Sequence, residues 1–232
     1  MPGRCSLDEY IVGGIVIGCM LESKAIEMGL VLSDENIQAF ELYVGELKKW
    51  NRKVNLTAIT ADAEIVDKHI IDSLVFATYV HDGESVLDIG SGAGLPAIPL
   101  KIVKPTVSVV SVDSVGKKIL FQRHVARLLK IDTFEALHTR IENMPKADVR
   151  RFDVITSRAF SQLDLFVSLA APLLASGGRM IAMKGPSAIE EMRKSEELLF
   201  NLGYVISSVH SYKLPSNAGE RNLIVIKPCE RP

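Results

Sequence analysis

Apolar residues follow a helical spacing in the N-terminal third of the chain. From Ser33 to Trp50 they recur every three or four positions, and Ser33 is followed by two acidic residues, as is typical of a helix N-terminus. A second stretch with the same spacing begins near Ile65 and ends near Val80. The pattern therefore predicts two helices, which are separated by a turn-like segment.

After residue 82 the pattern changes to short apolar runs that alternate with amphipathic stretches. The runs predict seven strands, at residues 85–90, 106–113, 133–138, 152–157, 179–184, 204–212 and 222–227. The amphipathic stretches predict helices at 95–103, 117–130, 163–174 and 189–202, the second with Leu120, Phe121, Val125 and Leu128 turned inward. No helix separates the last two strands, so they should pair antiparallel, whereas the earlier strands need crossovers and should be parallel. We therefore predict an α/β fold with a doubly wound, mostly parallel seven-stranded sheet of the Rossmann-like type, whose last strand is antiparallel.

The pattern divides the chain into three regions. Residues 1–32 lack a sustained pattern and form an N-terminal extension, and it stays open whether the first 19 residues are an appendage. Residues 33–82 form a helical N-terminal cap and residues 83–232 the Rossmann-like domain, and we expect the cap and the domain to pack as one unit. The apolar run at residues 11–21 follows acidic residues and is too short to span a bilayer, so neither a membrane span nor a signal peptide is expected.

Composition narrows the class of protein further. The 232 residues include 27 Lys+Arg and 28 Asp+Glu, and 47% are hydrophobic, which excludes disordered and collagen-like chains. The net charge of −1 excludes a strongly basic DNA-coating protein, so any contact with nucleic acid must use local patches. The three Cys residues form no C-x-x-C pair, which favours a reducing cytoplasm and predicts neither a disulfide framework nor a metal site.

A glycine-rich turn follows the first predicted strand. Its sequence is Asp88-Ile-Gly90-Ser-Gly92-Ala-Gly94-Leu95-Pro96. Glycine at alternate positions lets the backbone turn sharply and approach a ligand closely. A dinucleotide fingerprint would have another glycine where Leu95 stands, and Pro96 removes one N–H donor from the start of the helix. The turn therefore argues against a bound pyrophosphate.

Two acidic residues indicate which ligand the turn binds. Asp113 ends the second strand, where a carboxylate can accept hydrogen bonds from both ribose hydroxyls of a nucleoside cofactor. Asp88 is placed to accept from the amino group of an amino-acid moiety. S-adenosylmethionine has a ribose, an adenine and a zwitterionic tail but no phosphate, so we predict a class I S-adenosylmethionine-dependent methyltransferase. The alternatives are another nucleotide-binding protein and, for Asp113 itself, a cap for the next helix.

Short motifs extend in order over most of the chain. They comprise Trp50-Asn51, Asn55-Leu56-Thr57, His69-Ile-Ile-Asp72-Ser73-Leu74, the glycine-rich segment from Leu87 to Leu100, Asp113-Ser114 with Lys117-Lys118, Ser157-Arg158-Ala159-Phe160, Lys184-Gly185 and Glu220-Arg221. Together they resemble the RsmG (GidB, glucose-inhibited division protein B) family over residues 33–227, although members usually have Gly where Ala97 stands. The resemblance implies methylation of N7 of a guanine in the 527 region of 16S ribosomal RNA, with 16S rRNA or the 30S subunit as the partner.

The resemblance also implies which residues bind the cofactor. They are Gly90, Leu95, Asp113, Ile141, Glu142 and Arg158. The glycine-rich turn adds Asp88, Gly92 and Gly94 to this prediction. Glu142 follows the third strand, where proteins of this fold contact adenine, and a solvated loop carboxylate is the alternative.

The end of the fourth strand indicates the kind of methyl acceptor. The sequence there is Ser157-Arg158-Ala159-Phe160, rather than the Asn/Asp-Pro-Pro-aromatic run that accepts the hydrogens of an exocyclic amine. The catalytic core also contains no Cys for covalent catalysis. The acceptor should therefore have a free lone pair, as guanine N7 does, and its reaction needs alignment more than a base. The candidate catalytic residues are Arg158, as a positioning group, and Lys184; a surface arginine is the alternative for Arg158.

Local clusters of positive charge are the candidate RNA contacts. The candidates are Lys48, Lys49, Arg52 and Lys53 around Trp50, Arg123 with Arg127 and Lys130 on one helix face, and Lys184 and Arg221 near the carboxyl edge of the sheet. A solvated helix face is the more common explanation for the set around Arg123. Trp50 is expected in the core, and His69 and Asp72 are either a structural pair or RNA contacts.

Two other functions stay open at this point. Ribose 2′-O-methylation of RNA would use Lys184 to help deprotonate a hydroxyl. A non-catalytic RNA-binding or ribosome-assembly module would keep the fold with a degenerate cofactor site. For each function we expect a cytoplasmic monomer.

Overall fold

The computed structural model describes residues 16–144, 150–158 and 162–229. The helices are α1 (Val16–Glu27), α2 (Asp34–Asn51), α3 (Asp62–Ile65), α4 (Asp72–Ala77), α5 (Ala97–Val103), α6 (Gly116–Leu128), α7 (Leu163–Ala170) and α8 (Ala188–Asn201). The strands are β1 (Ser85–Ile89), β2 (Ser108–Asp113), β3 (Phe134–His138), β4 (Phe152–Ser157), β5 (Leu174–Lys184), β6 (Tyr204–Lys213) and β7 (Glu220–Pro228). A π-helical turn, Val66–Ile71, joins α3 to α4, and a 3-10 turn, Ile141–Asn143, follows β3.

The strands form one sheet in the order β3-β2-β1-β4-β5-β7-β6. β1 to β5 are parallel, and β7 lies antiparallel between β5 and β6. This confirms the predicted doubly wound, mostly parallel sheet with an antiparallel last strand. The strand order reverses between β1 and β4, and ligands of such sheets bind at the carboxyl ends of the strands at that point.

Both faces of the sheet are covered by helices, as the side chains of β1 show. Val86 packs in a cluster with α4 and α5, whereas Leu87 and Ile89 pack in a second cluster with α7 and α8. Each of these burials stabilises the fold by roughly 1.5–3 kcal/mol. Because side chains alternate along a strand, Asp88 points to the same side as Val86 and is completely buried.

The first helix was not predicted from the sequence. Leu21 and Ala25 of α1 are buried in a cluster that also holds side chains of α2. Residues 16–19 belong to α1, so an appendage that ended at residue 19 would end inside a helix. Residues 1–15 lie outside the described part of the chain.

The predicted boundaries of α2 are correct, and its N-terminus is a capping box. Ser33 Oγ accepts from the Asn36 backbone N–H at 3.2 Å, and Asn36 Oδ1 accepts from the Ser33 backbone N–H at 3.2 Å. Both bonds satisfy donors that the first turn of a helix leaves without partners. By contrast, β5 begins at Leu174 rather than Arg179, because residues 174–178 form an irregular start of the strand beside β4.

The inward face predicted for α6 is partly wrong. Phe121 and Val125 are buried, but Leu120 and Leu128 are 57% and 42% exposed. The buried face instead includes Gln122, a polar residue that hydrophobic spacing does not reveal. Trp50 of α2 packs against Phe121 at a ring-centroid distance of 5.7 Å, so α6 joins the cap to the sheet.

No helix in the described ranges is long and apolar enough to cross a membrane.

Candidate cofactor and acceptor sites

The glycine-rich turn after β1 requires glycine at two positions for different reasons. Gly92 and Gly94 have φ of +57° and +81°, which side chains rarely permit. A Cβ on Gly92 would meet open space, whereas a Cβ on Gly94 would lie 2.5 Å from Cδ1 of Ile98. Gly92 therefore leaves room for a ligand, and Gly94 lets the turn pack closely on α5.

A buried polar network fixes the shape of this turn. The side-chain amide of Gln122 donates to Ser91 Oγ and to the Gly92 carbonyl, both at 2.8 Å. Ser111 of β2 donates to Ser91 Oγ at 2.6 Å. Because the side chains of Ser91, Ser111 and Gln122 are buried and partnered, the turn is held in one conformation before any ligand binds.

Asp113 links the glycine-rich turn to the loop after β2. Its Oδ2 accepts from the Gly92 backbone N–H at 2.9 Å, and its Oδ1 accepts from the Val115 backbone N–H at 2.8 Å. The second bond is to Val115, the N-cap residue of α6, and no described side chain caps this helix, so the capping alternative for Asp113 is wrong. Each carboxylate oxygen has a further lone pair, so the same group can also accept from hydroxyls of a ligand.

A cleft of about 280 Å³ opens beside this carboxylate, which we call the cofactor cleft. It is lined by Ile89, Gly90, Val112, Asp113, Ser114, Thr139, Arg140, Ile141 and Glu142. The structure thus brings together four of the predicted cofactor-binding residues, Gly90, Asp113, Ile141 and Glu142. Leu95 does not line the cofactor cleft, because its side chain is buried in the core with Ile98.

Asp88 fits the cationic end of the expected cofactor. Its Oδ2 accepts from the Ala97 backbone N–H at 3.3 Å, but its Oδ1 has no hydrogen-bond partner among the described residues although it is buried. Burial raises the pKa of Asp88 well above its ordinary value. An ammonium group against Oδ1 would supply the missing partner and favour the ionised carboxylate, so the site suits an amino-acid moiety.

A second pocket, of about 370 Å³, lies where β4 and β5 end and β7 begins. We call it the acceptor pocket, and it is lined by Ile59, Lys68, His69, Asp72, Arg158, Met183, Lys184, Gly185 and Arg221. Several of these residues come from the π-helical turn and the first residue of α4, and π-helical turns are frequent at functional sites. The pocket collects the predicted residues Arg158, Lys184 and Arg221 at the carboxyl edge of the sheet.

Arg158 is anchored in this pocket rather than exposed at the surface. Its Nη1 donates to the Lys68 carbonyl at 3.1 Å and lies 3.3 Å from His69 Nδ1. The guanidinium also lies 3.8 Å from Asp72 Oδ2. Its charge acts to lower the pKa of both Asp72 and Asp88, against the larger effect of their burial, so it acts on the acceptor pocket and on the glycine-rich turn.

Asp72 is a buried carboxylate that joins three elements. Its Oδ1 accepts from the Tyr212 hydroxyl at 2.7 Å and lies 3.8 Å from Arg221 Nε. Burial raises the pKa of Asp72, while Arg158, Tyr212 and Arg221 act in the opposite direction. The carboxylate therefore orients two guanidinium groups toward the same pocket.

His69 is neutral at pH 7 in this environment. Burial and the nearby charge of Arg158 lower the pKa of His69 to about 4. Its Nε2 lies 2.8 Å from Thr57 Oγ1. An imidazole with such a low pKa is a poor general base at neutral pH, so the pocket does not offer His69 for proton abstraction.

The other predicted RNA contacts lie in different surroundings. Lys184 forms an ion pair with Glu191 of α8 at 2.8 Å, and Arg123 donates to the Ala136 carbonyl of β3 at 2.6 Å. In the cap, Lys48 pairs with Asp62 at 2.6 Å and Lys49 with Glu46 at 3.1 Å, and Arg52 and Lys53 are exposed. The structure therefore places Arg52 and Lys53 on the surface and gives Arg123 a structural bond.

Three site residues were missed from the sequence: Tyr43, Gln122 and Tyr212. Tyr43 and Gln122 occupy buried helix positions, where a polar group needs a hydrogen-bond partner. A polar side chain on the inward face of a predicted helix could therefore have indicated a buried hydrogen bond. Tyr212 lies on the edge strand β6 and gave no such signal, because its partner Asp72 is distant in sequence.

We expect Tyr43→Phe to weaken cofactor binding severalfold without abolishing folding. The Tyr43 hydroxyl donates to the Ala93 carbonyl in the glycine-rich turn at 3.0 Å, and its loss would leave that carbonyl without this donor. Such a loss costs about 1–3 kcal/mol of stability. Calorimetric titration with S-adenosylhomocysteine and a melting curve measure the two effects; unchanged affinity would show that the cap does not support the turn.

Comparison with solved structures identifies the fold of the chain. The P. horikoshii TYW2 structure in complex with MeSAdo aligns with a TM-score of 0.56 and 13% identity, covering 70% of this chain and 63% of that chain. A SAM-dependent methyltransferase from Thiobacillus denitrificans in complex with S-adenosyl-L-homocysteine aligns with a TM-score of 0.53 and 11% identity, covering 68% and 91%. These likenesses show the class I methyltransferase fold that the sequence predicted.

Comparison with sequences identifies the family. A family model described as GidB, rRNA small subunit methyltransferase G, matches residues 36–224. The ribosomal RNA small subunit methyltransferase G of Geobacter sulfurreducens is 47% identical over 210 residues, which cover 90% of this chain and 97% of the relative. The protein of the same name from Bacillus subtilis is 37% identical, covering 87% and 86%. The sequence resemblance is thereby confirmed, and the chain belongs to the GidB family, rRNA small subunit methyltransferase G.

Proposed function

We propose that this chain transfers the methyl group of S-adenosylmethionine to N7 of a guanine in the 527 region of 16S rRNA. The observation that carries the proposal is the position of Arg158. Its guanidinium lines the acceptor pocket, and the preceding residue, Ser157, donates to the Ile89 carbonyl at 2.8 Å, directly before the glycine-rich turn. The cofactor end of the turn and a cationic pocket for RNA are therefore neighbours.

The chain's own groups suit an acceptor that needs no deprotonation. When bound, S-adenosylmethionine supplies an electrophilic methyl group. Guanine N7 has a lone pair in the plane of its ring, so the residues of the acceptor pocket only have to orient the base and exclude water. Arg158 and Arg221 are suited to donate to guanine O6, the usual partner of arginine on this base.

Ribose 2′-O-methylation is the less suitable reaction for this pocket. It needs a group that removes a hydroxyl proton, but His69 has a pKa of about 4 and Lys184 is engaged with Glu191. A profile of kcat against pH separates the two reactions. We expect a flat profile between about pH 6 and 9 for attack by N7, whereas a rise that follows one titrating base would favour the ribose reaction.

A non-catalytic RNA-binding module is a third possibility, and cofactor binding tests it. The turn, Asp88 and Asp113 keep the geometry that a cofactor needs, which argues against a degenerate site. Titration of the isolated protein with S-adenosylmethionine should show one binding site; failure to bind would favour the module.

The direct test is to map methyl groups on rRNA. Small-subunit rRNA from a strain that lacks this gene should lose one N7-methylguanine, which the purified protein restores on 16S rRNA or on 30S particles. A methyl group lost at another site would overturn the assignment. Comparing the rates on free 16S rRNA and on 30S particles shows which of the two is the substrate. We expect the protein to act in the cytoplasm and as a monomer.

Neutralising the four cations Lys48, Lys49, Arg52 and Lys53 together should weaken RNA binding and flatten its dependence on salt. Each phosphate contact that is lost reduces the slope of log K against log salt by roughly 0.7 for single-stranded RNA. Cofactor affinity should not change, because none of the four lines the cofactor cleft. Binding titrations at several salt concentrations give the slope, and an unchanged slope would place the RNA contacts elsewhere.

A further inference from the structure

A third cleft lies in the helical cap and is not part of the proposed reaction. We call it the cap cleft; its volume is about 250 Å³, and it is lined by Leu47, Lys48, Asn51, Arg52, Thr57, Ile59, Thr60 and Ile65. Two motifs noted in the sequence, Trp50-Asn51 and Asn55-Leu56-Thr57, form the end of α2 and the turn beside this cleft. No residue of these two motifs lines the cofactor cleft or the acceptor pocket.

The cap cleft has an apolar floor and a polar rim. Leu47 and Ile65 are buried and form the floor, whereas Lys48, Arg52 and Thr60 are exposed at the rim. A nucleobase combines flat apolar faces with polar edges and is followed by a phosphate, so this arrangement suits one unstacked nucleotide of a single strand.

The wall of the cap cleft is rigid without a ligand. Asn51 Oδ1 accepts from the backbone N–H groups of Leu56 and Thr57 at 2.8 and 3.0 Å, and its Nδ2 donates to the Thr57 carbonyl at 2.9 Å. The Ile59 backbone N–H donates to Thr57 Oγ1 at 3.0 Å. A preformed site binds without first having to order a loop.

The cap cleft adjoins the acceptor pocket. Ile59 lines both of them, and Thr57, in the wall of the cap cleft, lies 2.8 Å from His69 in the acceptor pocket. A nucleotide in the cap cleft and a guanine in the acceptor pocket would therefore be neighbours.

Charge on the rim favours RNA over an apolar partner. Arg52 is exposed and makes no ion pair within the described part of the chain, and Lys48 pairs only with the half-exposed Asp62. On the other side of Ile59, the acceptor pocket adds Lys68 and Arg158. Positive side chains thus lie on both sides of Ile59, and their charge is complementary to a phosphate backbone that runs from the cap cleft to the acceptor pocket.

We propose that the cap cleft is a second nucleotide subsite, which holds the base of the nucleotide adjoining the methylated guanine in the single-stranded rRNA loop. This inference rests on the proposed function. Arg52 and Lys48 bind the phosphate of that nucleotide, and the partly exposed Ile59 contacts its base above the buried floor. The subsite therefore adds affinity for the strand beside the target guanine and takes no part in the transfer itself.

The test uses loop oligoribonucleotides that are either intact or abasic at one position. The abasic site is placed directly 5′ or directly 3′ of the target guanine, and binding to the full-length protein is measured as Kd. We expect Kd to rise roughly fivefold for one of the two positions, near the lower limit measured for stacked bases. Less than a twofold rise at both positions overturns the proposal.

Protein variants show whether the lost base lies in the cap cleft. Thr60→Trp fills the cleft from its exposed rim, so it should weaken binding of the intact oligonucleotide and reduce the abasic effect to less than twofold. Gln38→Trp is the matched control on α2, because Gln38 is exposed and does not line the cleft, and it should keep the full abasic effect. An abasic effect that persists in Thr60→Trp overturns the proposal.

The same variants on the full substrate separate this subsite from the proposed reaction. With 30S particles or 16S rRNA, Thr60→Trp should raise KM roughly fivefold and leave kcat within twofold, since the reacting groups are untouched. A fall in kcat with KM unchanged overturns the subsite. Absence of N7-methylguanine in the product of the parent protein would refute the proposed function alone, because the Kd values for abasic RNA do not depend on methylation.

Discussion

Arg158→Ala is expected to lower kcat by roughly a hundredfold or more, which is the usual cost of removing a preorganised donor from an active site. The guanidinium contacts the π-helical turn at the Lys68 carbonyl and lies beside His69 and Asp72. Without it, the acceptor pocket loses the guanidinium that lies 3.8 Å from Asp72 and whose charge acts to lower the pKa of both Asp72 and Asp88. Single-turnover methylation at saturating cofactor measures the effect on the chemical step.

The loss of stability in this variant should be small beside the loss of turnover. Asp72 keeps the Tyr212 hydroxyl and Arg221 as partners, so we expect a loss of about 1–3 kcal/mol. Arg158→Lys should recover only part of the turnover, because lysine keeps the charge but not the planar fork. Arg193→Ala, which removes an exposed arginine of α8, is the matched control. A folded Arg158→Ala protein with near-normal turnover would remove Arg158 from the mechanism.

Asp113→Ala should weaken binding of S-adenosylmethionine by roughly ten- to a hundredfold. A hydrogen bond to a charged group contributes about 1.5–3 kcal/mol, and each 1.4 kcal/mol is about tenfold in affinity. Asp113 lines the cofactor cleft and also holds the Gly92 N–H, so the variant loses a ligand contact and loosens the turn. Calorimetric titration with S-adenosylhomocysteine gives the affinity.

A melting curve and a conservative variant complete this experiment. The melting temperature of Asp113→Ala should fall, because the backbone N–H groups of Gly92 and Val115 lose their acceptor, but the protein should stay folded. Asp113→Glu should lose less affinity than Asp113→Ala, since it keeps a carboxylate. If folded Asp113→Ala binds within about threefold of the parent, a loss of under about 1 kcal/mol, the ribose contact is not made by Asp113.

The sequence by itself determined the sheet and the cofactor side of the site. Apolar runs separated by amphipathic stretches report burial on both faces of a strand, so β1 to β4 and their order along the chain followed directly. The glycine-rich turn, Asp88 and Asp113 lie at strand ends, and the carboxyl ends of parallel strands share one edge. For these residues, local position in the sequence is enough to predict position in space.

Only the tertiary structure decided the acceptor side and the role of the cap. The acceptor side is formed by Asp72 of α4, Arg158 after β4, Tyr212 of β6 and Arg221 of β7. No local pattern in the sequence shows that these side chains meet. No local pattern predicted that the Tyr43 hydroxyl would donate to the glycine-rich turn. Nor did any pattern predict that Gln122 would be buried on α6 and donate to this turn, because hydrophobic spacing had favoured Leu120 for the inward face. Periodicity reports whether a side chain is buried, but its partner depends on which distant element packs against it, and that is fixed by the topology of the whole chain.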